Sequence, residues 1–73
     1  MALELILNGQ PRRFAELESS STIASLIAAL ELKADRVASE LNGTIAARAA
    51  WSETSLNSGD RVELVHFVGG GDS

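Results

Sequence analysis

Leu3, Leu5 and Leu7 occupy every second position of the N-terminal segment, with Glu4 and Ile6 between them, and Asn8-Gly9 follows directly. Alternation with a period of two predicts a half-buried strand, and Asn-Gly tolerates the positive φ values of a two-residue hairpin turn. Ala2 to Phe14 therefore reads as two strands around that turn. Pro11 lacks a backbone donor, so the second strand, roughly Gln10 to Phe14, belongs at a sheet edge where no ladder bond is lost. The period then changes. Ile23, Leu26, Ile27 and Leu30 recur at the i, i+3, i+4, i+7 spacing of one helical face, and Ser19-Ser20-Ser21-Thr22 supplies polar caps, with Thr22 as the N-cap. Asp35 to Leu41 and Thr44 to Ala47 flank a second Asn-Gly, Asn42-Gly43, which predicts another hairpin. Arg48 to Ser58, with Trp51, Leu56 and several turn formers, reads as a half-ordered crossover whose apolar residues close one end of the core. Gly59-Asp60 turns the chain into a last strand, Arg61 to Val68.

The order is strand, strand, helix, strand, strand, strand. Its compact solution lays the helix across one face of a mixed sheet of about five strands, with the first and last strands paired at the centre. The expected class is α+β, the β-grasp arrangement of ubiquitin-like domains, over residues 1–68, with 69–73 as a flexible tail. A chain of 73 residues holds one domain, and 45% hydrophobic against 22% charged residues makes it a folding rather than a disordered one. A net charge of -4 argues against nucleic acid and anionic membrane surfaces, which reward clustered Lys and Arg, and is compatible with a basic protein partner or equally with solubility alone. The absence of cysteine removes disulfides, thiolate ligands and thiol catalysis, and fits a reducing compartment. The opening MALELILNG carries Glu4 and is too short for a signal peptide, and no apolar run approaches membrane-spanning length. The expectation is a cytoplasmic protein.

Side-chain chemistry is sparse. His66 is the single histidine, and a lone histidine in a strand reads as a partly buried structural residue rather than a base. One histidine and scattered carboxylates assemble no metal site, the serines lie where caps and turns explain them, and no Gly-rich loop opens a helix. Trp51 reads as core. Arg12 and Arg13, adjacent on an edge strand, point to opposite faces and protect the edge. An enzyme in its own right is not expected.

The C-terminus stands apart. Arg61-Val-Glu-Leu-Val-His-Phe-Val-Gly-Gly-Gly-Asp-Ser73 runs from a strand straight into three glycines. Composition alone makes Gly69 to Ser73 a flexible end. The competing reading uses the backbone: a terminal glycine carboxylate is unhindered, ionised near neutral pH, and carried on a chain slender enough for a narrow channel.

Asn42-Gly43, Arg48 with Trp51 three residues on, Leu56 and above all GDRVELVHFVGGG resemble the sulfur-carrier family of thiamin biosynthesis, the ThiS type, over nearly the whole chain. The carrier of molybdopterin synthesis more often shows Pro-Pro in its approach and Ser before Gly-Gly, and is the nearest alternative. A ubiquitin-like protein modifier would use the same terminus.

The resemblance implies that Gly71 is adenylated by an E1-like enzyme at the expense of ATP and converted to a thiocarboxylate. It also implies that a persulfide on a partner donates the sulfur, and that thiazole synthase accepts it. The carrier itself binds no cofactor. Gly69, Gly70 and Val68 become the recognised tail. Strand alternation adds a docking patch of its own: with Val62 and Leu64 facing the helix, Glu63 and Val65 turn outward, and Val65 and Phe67 are free to meet a partner. The five residues Phe67 to Gly71 reach about 17 Å at most when extended. Two departures stand out. Ala46-Ala47-Arg48 replaces a Val-Pro-Arg common in the family, and Asp72-Ser73 follow the glycines, so a peptidase that exposes Gly71 is implied as a further partner.

Overall fold

Strand β1 (Leu3–Leu7) and strand β2 (Gln10–Phe14) form an antiparallel hairpin in the computed structural model, which describes residues 2–66. The turn between them has φ of 52° at Asn8 and 82° at Gly9, the doubly positive pair that matches the right-handed twist of the strands. The chain continues through α1 (Ile23–Ala29), a 3₁₀ turn at Ala34–Arg36, β3 (Val37–Leu41), β4 (Thr44–Ala46), a 3₁₀ helix at Arg48–Glu53 and β5 (Arg61–His66). The sheet order is β2-β1-β5-β3-β4, so the last strand is central. It runs parallel to β1 and antiparallel to β3, which is the β-grasp arrangement. β2 lies at the edge, as Pro11 requires.

The core fills the space between α1 and one face of the sheet. Leu3, Leu5, Leu7, Phe14, Val37 and Val62 meet Ile23, Leu26 and Ile27 of the helix, with Leu17, Trp51 and Leu56 closing the ends. A helix of 7 residues is marginal alone, so this packing holds it. Thr22 Oγ1 accepts the Ser25 N–H at 3.2 Å and caps the helix N-terminus. At the other end Leu30 is the half-buried C-cap rather than a further helical residue. Glu31 there takes the left-handed conformation (φ 59°). Its N–H bonds the Ala28 carbonyl and the Leu32 N–H bonds the Ile27 carbonyl, a Schellman closure without glycine.

Three boundaries differ from the sequence expectation. Asp35 and Arg36 belong to a 3₁₀ turn, so β3 begins at Val37; the mixed polarity of Lys33 to Arg36 offers no alternation to bury. β4 stops at Ala46, before Ala47. The crossover is more ordered than expected, because Arg48–Glu53 winds as 3₁₀ helix and sinks Trp51 to 3% exposure. The Trp51 Nε1–H donates to the Ala46 carbonyl at 2.9 Å, satisfying an edge-strand acceptor from within the same chain. Ser39, buried in β3, has no partner for its Oγ among the described residues; an orphaned hydroxyl weakens rather than supports the sheet. Among the described residues no helix is long and apolar enough to cross a membrane.

Candidate functional site

β5 carries the chain toward the glycines, and its side chains divide cleanly between the two faces of the sheet. Val62 is fully buried and Leu64 half-buried against the core, whereas Glu63, Val65 and His66 are exposed. His66 shares the inner face with Val62 and Leu64 and sits opposite the buried Val37, yet it is exposed rather than partly buried as expected, because burial falls off along that face toward the end of the strand.

Val65 is 56% exposed and sits opposite Ala38 of β3. Ile45 of β4, 77% exposed, lies opposite Glu40 and shares a shallow hollow with Ala38, Glu63 and Val65. Val65 was expected in a docking patch and Ile45 was not. Its signal was the alternation after Asn42-Gly43: with Thr44-Ile45-Ala46 as a strand, Ile45 has no core to face. Glu40 and Glu63 stand directly opposite each other beside this apolar corner. Like charges in that position destabilise a sheet by roughly 0.2–1 kcal/mol. The corner is therefore both apolar and electrostatically unsatisfied. Phe67, Val68, Gly69, Gly70 and Gly71, the remaining expected site residues, lie outside the described residues.

The two hairpin turns reach across to β5 from either side. Asn42 Oδ1 accepts the Arg61 N–H at 2.8 Å, its Nδ2 donates to Asp60 Oδ1 at 3.2 Å, and Asp60 Oδ2 accepts the Asn57 N–H at 2.9 Å. Asn8 Oδ1 accepts the Leu64 N–H at 2.8 Å. Sequence reasoning found both asparagines as turn formers and missed their second use, which depends on contacts between distant parts of the chain. Arg13 faces Glu4 across β1 and β2, and the Arg12 guanidinium lies 5.3 Å from the centre of the Phe14 ring. A hollow of ≈ 350 Å³ is lined there by Glu4, Ile6, Pro11, Arg13 and Gly59 among others. It lies beside the start of β5, at the end of the sheet opposite Val65.

Comparison with known proteins converges on one family. The pattern defining the ThiS family matches residues 5–71. A sulfur carrier protein ThiS of Bacillus subtilis is 36% identical over 67 residues, 92% of this chain and 98% of that protein. A thiazole synthase of Paramagnetospirillum magneticum is 33% identical over 69 residues, which cover 94% of this chain. The chain spans only 20% of that relative's length. The crystal structure of the thiamine biosynthesis protein ThiS from Geobacter metallireducens superposes with a TM-score of 0.77 at 36% identity, covering 94% of this chain and 100% of that one.

Proposed function

The chain belongs to the ThiS family, and from that premise we propose that it is a sulfur carrier of thiamin biosynthesis working through the carboxyl group of Gly71. The observation that carries this reading is the matched span, which ends at Gly71 and leaves Asp72 and Ser73 outside it.

With Gly71 terminal, one carboxylate oxygen attacks the α-phosphorus of ATP on an E1-like enzyme and pyrophosphate leaves. The acyl adenylate replaces a poor leaving group with AMP. A persulfide sulfur then attacks the acyl carbon and AMP departs. A thiol cleaves the resulting acyl disulfide, becoming oxidised to a disulfide itself, and releases the thiocarboxylate. Thiazole synthase is the acceptor. In support, a segment like this chain lies within proteins that bear that name. The carrier contributes an address and a reach, and the partners contribute the catalysis.

The address is the corner of Ala38, Ile45 and Val65 with Glu40 and Glu63. An exposed apolar group beside two repelling carboxylates suits a partner that offers apolar side chains ringed by Arg or Lys. Such a partner relieves the repulsion on docking. Val65→Asp and Ile45→Asp should each weaken binding to the activating enzyme at least tenfold in a titration. Both variants should still melt in one cooperative transition, since neither side chain is core, with Ile45→Asp lowered modestly because it sets a second carboxylate opposite Glu40. Normal binding by both variants would remove this corner from the interface.

The chemistry itself is tested by intact mass. The chain ending at Gly71, incubated with the activating enzyme, ATP and a persulfide donor, should gain the mass difference between sulfur and oxygen, localised to the last peptide. An amide-linked adduct on another protein, with no such gain, would point to a modifier instead.

A further inference from the structure

β5 is supported unevenly along its two edges. β3 pairs with it from Val62 to His66. On the other side β1 reaches only to Leu7, opposite Val62, and the chain then turns away at Asn8-Gly9. Asn8 nevertheless continues the ladder. Its backbone N–H donates to the Val62 carbonyl at 2.9 Å, and its side-chain Oδ1 accepts the Leu64 N–H at 2.8 Å. One residue thus supplies two successive rungs, the second from its side chain. Asn42 makes the equivalent pair at the start of the strand, donating its N–H to the Arg61 carbonyl at 2.7 Å and accepting the Arg61 N–H at 2.8 Å. One asparagine fixes where β5 begins and the other holds it near its described end.

We propose that Asn8 is a positioning residue for the reaction at the carboxyl terminus: its side chain keeps Leu64, Val65 and His66 on the sheet, so that the segment engaged by a partner starts from a fixed point. This inference rests on the carrier reading above. Without Asn8 Oδ1, β5 past Val62 is held from the β3 side alone and its end frays. Each freed residue must then be ordered again when the terminus is engaged, and that cost falls on binding. Val65 loosens with the strand and the docking corner with it. The Asn8 amide touches neither nucleotide nor acyl carbon in this scheme, so its loss belongs in KM rather than kcat.

The turn geometry permits a clean test. With φ at 52°, position 8 accepts glycine without strain. Asn8→Gly therefore keeps the hairpin and removes only the amide, while Asn8→Asp keeps an oxygen acceptor at the same place. Asn42→Gly removes the matching bond at the strand's start, together with the bond to Asp60, and serves as the control for general destabilisation. Each is made in the chain ending at Gly71, which contains the whole described fold. Amide hydrogen exchange at Leu64 and ATP–pyrophosphate exchange with the activating enzyme are then measured.

For Asn8→Gly the Leu64 amide should lose protection. KM for the carrier should rise roughly threefold to tenfold, the range one net hydrogen bond spans, with kcat unchanged. Asn8→Asp should restore both, and Asn42→Gly should leave KM at the wild-type value. A normal KM for Asn8→Gly, or an equal rise for Asn42→Gly, overturns the positioning role alone. Failure of the wild-type chain to support any exchange overturns the carrier reading, and the positioning role with it.

Discussion

On the carrier reading proposed above, a chain ending at Gly71 should support ATP–pyrophosphate exchange by an E1-like enzyme, and the 73-residue chain should support none above background. The reason is covalent. In the longer sequence the Gly71 carbonyl is tied into an amide with Asp72 and offers no carboxylate oxygen to the α-phosphorus. In a polypeptide made to end at Ser73, the free carboxylate lies two residues farther along and is preceded by a charged side chain. A channel shaped for glycine excludes that side chain by bulk and by the cost of stripping its water. The comparison is run with both chains and with mass spectrometry on the reacted material, so that trimming by a contaminating peptidase is seen. Equal exchange by both chains, with Asp72 and Ser73 still attached, would move the activated carboxylate to Ser73.

Trp51→Ala should bring the domain to the edge of unfolding. Truncating a buried tryptophan costs about 3–5 kcal/mol through lost transfer energy and the cavity left behind. A domain of this length has about 4–11 kcal/mol in total. Trp51 is 3% exposed and its Nε1–H holds the Ala46 carbonyl, so the substitution also releases the end of β4 next to Ile45. Urea unfolding should show the midpoint collapsing toward low denaturant. Trp51→Phe keeps most of the apolar volume and should lose only about 1–2 kcal/mol, of which the missing hydrogen bond is one part. An unfolding free energy for Trp51→Ala within about 1 kcal/mol of wild type, well below the truncation cost, would mean that the 3₁₀ helix contributes little to the core.

Features written in local sterics were legible in the chain. Asn8-Gly9 and Asn42-Gly43 announce their turns because few other pairs accept two positive φ values. Pro11 announces an edge because it cannot donate, and Thr22 announces a helix start because its hydroxyl can replace a missing turn. The alternation of Val62 with Glu63 and of Leu64 with Val65 fixed which face of β5 is buried. Illegible features depend on partners far along the chain or on geometry without a residue signature. Glu31 closes the helix in a conformation that sequence reasoning assigns to glycine. Arg48–Glu53 contains no periodic apolar pattern, and its winding follows from where Trp51 must be buried. Of the candidate site, Val65 was read from alternation, while Ile45 emerged only when β4 was seen to be short and at the edge. The terminal glycines drew notice through their backbone, and Gly71 was singled out among them through resemblance, since a glycine carries no side-chain chemistry.

The central place of β5 also bears on how the protein is made. Residues 3–7 leave the ribosome early, yet their parallel partner lies at Arg61 and Val62, so Ile6 waits for a residue 55 positions later. Until then no ladder connects β1–β2 with β3–β4, because β5 lies between them; such long-range pairing is slow to form and leaves apolar surface open meanwhile. Folding is thus deferred until Arg61–His66 has been synthesised. The finished sheet becomes a certificate of completion. The corner of Ala38, Ile45 and Val65 therefore exists only in chains translated through β5, which supplies Val65.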